Sequence, residues 1–254
     1  MNCKICGHES EFWGSAELLG KHNVKYYRCP ECGFIQTETP YWLDEAYSSA
    51  IADADIGLLG RNFSMARRVS ALLKTTFHTL SNFLDWGGGY GIFTRLMRDA
   101  GFRFEWYDKY CENLFAKGFE RKQDHYDLIT AFELLEHLTD PLENMSVIMS
   151  ACDNLICTTD LVPEPAPKPG TWWYYAPQTG QHISFYTPKA MRIIAEKFGK
   201  YYTRYGSIHI FSSKPLSERK TALTCKFSLI VNRLYKRRSL LAEDYETVTG
   251  SKLI

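Results

Sequence analysis

The 254-residue chain lacks a run of ~20 apolar residues, so no segment of it is expected to span a bilayer, and no apolar N-terminal stretch has the form of a signal peptide. It also lacks a charge excess. Thirty basic against 29 acidic side chains leave a net charge of +1, too little for general attraction to nucleic acid or an anionic membrane. Internal repeats are missing as well, which excludes solenoids and propellers. A 45% apolar share is ordinary for a globular protein of one full domain plus a small module, and a cytoplasmic location is the default expectation.

Cysteine is present and unevenly placed. Cys111, Cys152, Cys157 and Cys225 show no paired spacing, whereas "CKIC" and "CPEC" put Cys3 and Cys6 in one knuckle and Cys29 and Cys32 in another. Each pair is followed by glycine (Gly7, Gly33), which lets backbone amides turn back towards the sulfurs, and 22 residues separate the pairs. Four soft ligands from two tight turns predict a structural zinc ribbon over residues 1–40, closed to substrate because protein fills all four positions.

Residues 41–80 read as a helical linker, with Phe63, Ala66, Val69, Leu72 and Leu73 at helical spacing. From 81 to 215 strand and helix patterns alternate. "NFLDW", "FRFEWYD", "YDLITAF" and "NLICTTD" read as strands. "GIFTRLMRDAG", "PLENMSVIMSAC" and "TPKAMRIIAEKFG" read as helices. Such alternation predicts an α/β fold on a mainly parallel sheet. "LVPEPAPKPG" holds four prolines and is not regular structure. The tail, 216–254, keeps Leu223, Phe227, Ile230, Leu234 and Leu241 at helical spacing, with Lys236, Arg237 and Arg238 as its polar side; weak contact of this basic tail with an acidic surface is an expectation.

"LDWGGGYG" lies between the first strand and its helix. The dinucleotide fingerprint would need a third glycine where Ile92 stands; the spacing is instead Asp85, Gly87, Gly89, Gly91. A donor without a pyrophosphate, carrying an amino-acid moiety, suits such a loop, with Asp85 as an acid near its ammonium group. Asp108 closes the next strand at the distance expected for a ribose-binding acid.

In these residues the chain resembles the class I S-adenosylmethionine (SAM)-dependent methyltransferases, over about residues 60–215. The resemblance implies a Rossmann-like seven-stranded, mainly parallel sheet with helices on both faces, its last strand antiparallel, for which "SIHIFSSK" is the candidate. It also implies SAM as methyl donor, with Phe132 and Glu133 of "YDLITAFELLEHLTDP" facing the cofactor and Glu136 and His137 just beyond. With its zinc module the chain is similar to bacterial methyltransferases of sugar and cell-surface glycan pathways, which points to a sugar or glycan acceptor. Where those with carbon acceptors carry Tyr-His-Glu-His, this chain has "TGQHISFY", with Thr179 in place of the tyrosine and His182 retained.

His182 is the expected general base, since an imidazole can take a proton from a hydroxyl or amine near neutral pH. His137 is expected to support the loop after the strand. Trp172, Trp173, Tyr174 and Tyr175 could stack on the flat faces of a sugar. Two other functions are open. An RNA methyltransferase would grip nucleic acid with a basic ribbon, yet residues 1–40 hold four basic (Lys4, Lys21, Lys25, Arg28) and five acidic side chains, so no nucleic-acid partner is expected. A non-catalytic zinc-ribbon interaction protein is disfavoured by the intact acid–glycine–acid set.

Overall fold

The computed structural model describes residues 1–47 and 56–253, so part of the span expected to be a helical linker lies outside the described residues. The N-terminal segment folds as antiparallel strands β1 (Glu11–Leu18), β2 (His22–Arg28) and β3 (Ile35–Thr37). A fourth strand, β8 (Ser184–Phe185), joins β3 from far along the chain. The ribbon therefore shares its sheet with the rest of the fold and is not an independent bead.

A second sheet forms the body. Its strands are β4 (Phe83–Trp86), β5 (Phe104–Tyr107), β6 (Tyr126–Ala131), β7 (Cys152–Thr158), β9 (Tyr201–Tyr205) and β10 (Ile208–Ser212), in the order β5-β4-β6-β7-β10-β9. β5, β4, β6 and β7 are mutually parallel, and β10 runs antiparallel to both neighbours, as expected for "SIHIFSSK". The expected count of seven is corrected to six among the described residues. Beyond β5 only an isolated parallel bridge, Trp106 to Glu120, stands where another strand would pair. The segment around it, "GFERKQD", is short and mostly polar, so it supplies two ladder bonds, Trp106 N–H to the Phe119 carbonyl and Arg121 N–H to the Trp106 carbonyl, and buries a single apolar side chain, Phe119.

Strands β6 and β7 are buried almost throughout, the near-continuous apolar pattern of a sheet covered on both faces. One face packs on α4 (Pro141–Ser150) and α5 (Pro188–Lys197), with Met145, Ile148, Met191 and Ile194 in the core. The other packs on α2 (Leu58–Thr75), α3 (Ile92–Asp99) and α6 (Glu218–Lys226) through Val69, Leu72, Met97 and Cys225. The helix expected inside the linker is thus an integral flank of the sheet. A short α1 (Leu43–Ala46) precedes it.

The C-terminal segment forms α6, α7 (Ser228–Leu234) and α8 (Leu241–Thr249). Here the spacing argument chose the wrong face: Leu223, Phe227, Ile230, Leu234 and Leu241 are exposed, while Thr221, Thr224, Cys225 and Ser228 face the body. Small and hydroxyl-bearing residues let α6 and α7 approach α2, where Asn232 bridges Ser70, Lys74 and the Arg67 carbonyl. Lys236, Arg237 and Arg238 are not on a helix face either. They lie between α7 and α8, with Arg237 donating to the Gly101 carbonyl over the Phe102 ring. α8 is locked by Asp244, whose carboxylate is held by Arg98 and Arg95. No described helix is long and apolar enough to cross a membrane.

Candidate cofactor and acceptor site

In an open α/β sheet, ligands sit at the carboxyl ends of the strands where the chain order reverses. That point lies between β4 and β6, since β5 continues to one side of β4 and β6 to the other. The glycine loop leaves β4 there. Gly87, Gly89 and Gly91 all have positive φ (73°, 53° and 85°), a region that side chains reach only with strain. Space forbids side chains too. A Cβ at Gly88 would lie 2.6 Å from the Trp106 ring, and one at Gly91 would lie 2.8 Å from Asn113 Oδ1. Gly89 meets nothing within 4 Å and leaves its face of the loop open.

Asp85 lies under this loop. Its buried carboxylate accepts from Thr130 (2.8 Å) and Thr94 (3.2 Å), and burial pushes its pKa up to about 7 against those two hydrogen bonds. Asp108 follows β5 and accepts three backbone N–H groups, from Gly89 (2.9 Å), Tyr110 (2.7 Å) and Cys111 (2.9 Å). A carboxylate offers about four acceptor sites, so one remains, on the oxygen facing the loop. The same side chain therefore clamps the glycine loop and presents charge beside it.

After β6, Phe132 packs edge-on to Phe93, and Glu133 adopts φ 48°, an unusual backbone for a non-glycine residue. Thr158 at the end of β7 fixes that turn. Its hydroxyl accepts from Glu133 N–H (3.0 Å) and donates to Glu133 Oε1 (2.7 Å). Burial, and then the neighbouring Glu136, raise Glu133 to about pKa 7; burial raises Glu136 likewise to about 7. Glu136 accepts from the Tyr174 hydroxyl (2.7 Å) through Oε1, whereas its buried Oε2 has no hydrogen-bond partner among the described residues.

His182 Nδ1 lies 2.7 Å from the Tyr174 carbonyl. A carbonyl only accepts, so Nδ1 carries the proton and Nε2 keeps its lone pair. Burial lowers the His182 pKa and holds the ring neutral. His137, brought to about pKa 3 by burial, stacks edge-on to it at 4.9 Å, with Tyr47 bonding its Nδ1 at 2.9 Å.

The four aromatic residues separate. Tyr174 joins the Glu136 network, and Trp172 and Tyr175 pack against Tyr26 and Phe185 of the ribbon sheet. Trp173 is 73% exposed. Sequence reasoning passed over Tyr47, Tyr110 and Thr158. Tyr110 adjoins Asp108 and stacks on Tyr47, which reaches His137 across 90 positions, a separation that leaves no local pattern to read.

The four expected metal ligands converge. Cys3 and Cys32 sulfurs are 3.5 Å apart, Cys6 and Cys29 3.4 Å, and Cys6 and Cys32 3.6 Å. A tetrahedron with Zn–S bonds of about 2.3 Å has edges of about 3.8 Å, so the donors fit zinc with minor expansion. Gly7 and Gly33 turn at positive φ, each donating to the carbonyl of its knuckle's first cysteine, while Ile5 and Cys32 amides point at Cys3 and Cys29 sulfurs. The second knuckle rests on the start of α5. A Cβ at Gly33 would lie 2.9 Å from Thr187, and the Thr187 hydroxyl donates to the Cys32 carbonyl.

Two surface concavities of about 360 and 420 Å³ lie at the other edge of the sheet, bounded by Ser81, Arg103 and the C-terminal helices, and contain none of these groups.

Among solved structures, the fold is similar to magnesium protoporphyrin IX methyltransferase from Synechocystis PCC 6803 with bound SAH (15% identity, 68% of this chain and 94% of that one, TM-score 0.43). It is also similar to an O-methyltransferase family 2 protein from Planctomyces limnophilus in complex with apigenin (15% identity, 68% and 65%, TM-score 0.47). Human N-acetylserotonin methyltransferase in complex with SAM matches at 12% identity over 69% and 66% (TM-score 0.44). The match thus spans just under two thirds of both latter proteins. Sequence comparison with curated proteins finds no match. The family model described as "Methyltransferase domain" matches residues 60–203, more than half of the chain and the span that holds the glycine loop, Asp108 and His182, and the chain therefore belongs to the methyltransferase-domain family.

Proposed function

We propose that this chain transfers a methyl group from SAM to a small-molecule acceptor, a sugar or cell-surface glycan intermediate, with His182 as the general base. The observation that carries this reading is an open glycine loop clamped by the strand-end Asp108 and joined, through Tyr110, Tyr47 and His137, to the His182 imidazole whose Nδ1 carries the proton. SAM supplies an electrophilic methyl group on a sulfonium. Gly87, Gly89 and Gly91 give it backbone access, the remaining acceptor site of Asp108 suits a ribose hydroxyl, and Phe132 and Glu133 border the same edge. Asp85 acts through the loop it supports.

Methyl transfer is a displacement that needs alignment and removal of one proton. His182 is oriented for that by the Tyr174 carbonyl. Exposed Trp173 is available to stack on an acceptor, while Trp172, Tyr174 and Tyr175 shape the wall behind it. Cys3, Cys6, Cys29 and Cys32 hold a structural zinc ion, which fixes the ribbon against α5. The test is a thermal melt with SAM followed by turnover of His182→Ala. Stabilisation by SAM, with binding retained and turnover lost in the variant, is the expected result. A protein that SAM does not stabilise, but another nucleotide does, refutes the donor; unchanged turnover in the variant refutes the base.

A further inference from the structure

We propose that Glu136, His137 and His182 together bind one divalent transition-metal ion at the carboxyl edge of the sheet, with open positions for oxygen atoms of the acceptor. One ligand atom from each lies within 4.8 Å of the others. Donors sharing an ion at bond lengths of about 2.0–2.2 Å lie roughly 3–4.4 Å apart, and a group whose ligand atoms all fall within 4.8 Å of one another lies in or close to that range. Two imidazoles and one carboxylate are a ligand set that transition metals use with open positions for a further ligand.

The second observation is the orphaned Glu136 Oε2. The residue is fully buried, and among the described residues no hydrogen bond reaches this oxygen. Such an atom is costly to bury unless something answers it. A cation does so, and the two imidazoles offer it further donors.

The third is the outer shell. Metal-bound residues are held by a hydrogen bond on the atom that does not touch the ion. Glu136 Oε1 takes the Tyr174 hydroxyl, His182 Nδ1 gives its proton to the Tyr174 carbonyl, and His137 Nδ1 meets the Tyr47 hydroxyl. One residue, Tyr174, therefore positions two of the three ligands. The Gln181 carbonyl, also near the His137 ring, is the competing partner for that side chain. A bound ion would take up the His182 Nε2 lone pair and acidify the acceptor's hydroxyl, so in the metal-bound form His182 would position the ion and the proton would leave to water. That consequence rests on the acceptor reading above; binding of the ion does not.

The test uses the full-length, zinc-replete protein titrated with Mn²⁺ and followed by the electron paramagnetic resonance of the free ion. Mn²⁺ favours carboxylate and avoids thiolates, so the cysteine site does not compete. One bound equivalent is expected, weakened at least tenfold in Glu136→Gln and in His182→Ala and unchanged in Asp108→Asn. No binding by cooperatively melting protein, or binding that survives both substitutions, overturns the proposal. Melts with SAM on the same samples keep the two readings apart. Mn²⁺ binding without SAM binding sinks the methyl donor alone, and SAM binding without Mn²⁺ binding sinks the metal alone.

Discussion

Replacing Asp108 tests the cofactor site most directly, because the structure gives this carboxylate two separable duties. It accepts the Gly89, Tyr110 and Cys111 amides, and it keeps one acceptor site beside the loop. Asp108→Ala removes all of them. The three amides are near solvent, so water replaces most of each bond; at about 0.5 kcal/mol apiece the fold loses about 1.5 kcal/mol, or roughly 3–6 °C in melting temperature. A hydrogen bond from a ribose hydroxyl to a charged acceptor is worth about 1.5 kcal/mol, so losing the one that the remaining site can take weakens SAM binding about tenfold. Asp108→Asn separates the duties. Its one carbonyl oxygen can keep the Tyr110 and Cys111 amides, but its amino group then faces the Gly89 N–H, donor against donor. This variant should melt close to the parent and still bind SAM about tenfold more weakly. Isothermal titration with SAM, paired with melts, reads both quantities. An alanine variant that binds SAM within twofold of the parent refutes the assignment.

Other consequences follow from the same structure. Gly91→Ala forces a methyl to 2.8 Å from Asn113 Oδ1 at φ 85°, which should cost about 2–3 kcal/mol of stability in urea titration and abolish the SAM-induced rise in melting temperature. Metal analysis should read one zinc per chain at the proposed cysteine site, and Cys29→Ser should lose it and destabilise the ribbon, whose second knuckle braces α5. Asp244→Ala leaves Arg98 buried without its partner and should cost about 3–5 kcal/mol. In the parent, burial alone would raise Asp244, but Arg98 and Arg95 hold its pKa below the ordinary carboxylate value. Its stabilisation is therefore complete above about pH 3.9 and lost as pH falls through the lower folded value, a slope the variant should lack in acid melts. For turnover, the base form of His182 is neutral and burial lowers its pKa. Rate should therefore rise with pH below about 6.5 and be flat near neutrality; an inflection above 7 would contradict the geometry.

The sequence by itself determined what local spacing encodes. The cysteine knuckles, the acid–glycine–acid set and the alternation of strand and helix depend on neighbours within about 20 residues, so composition and period reveal them. It said nothing of a seventh strand, which only the family resemblance implied and which is reduced to a single bridge at Glu120, because pairing there depends on what the edge can bury. It misjudged the C-terminal helices for a related reason. Helical spacing shows that a stripe exists but not which side faces the body, and here close approach to α2 favoured Thr221, Thr224 and Ser228 over the leucines. Only the tertiary structure decided that β8 completes the ribbon sheet, that Tyr47 reaches His137, and that Glu136 and His182 share Tyr174. Apart from the short step between Tyr174 and His182, those contacts join segments 38 to 150 positions apart, and chain folding, not spacing, sets their geometry.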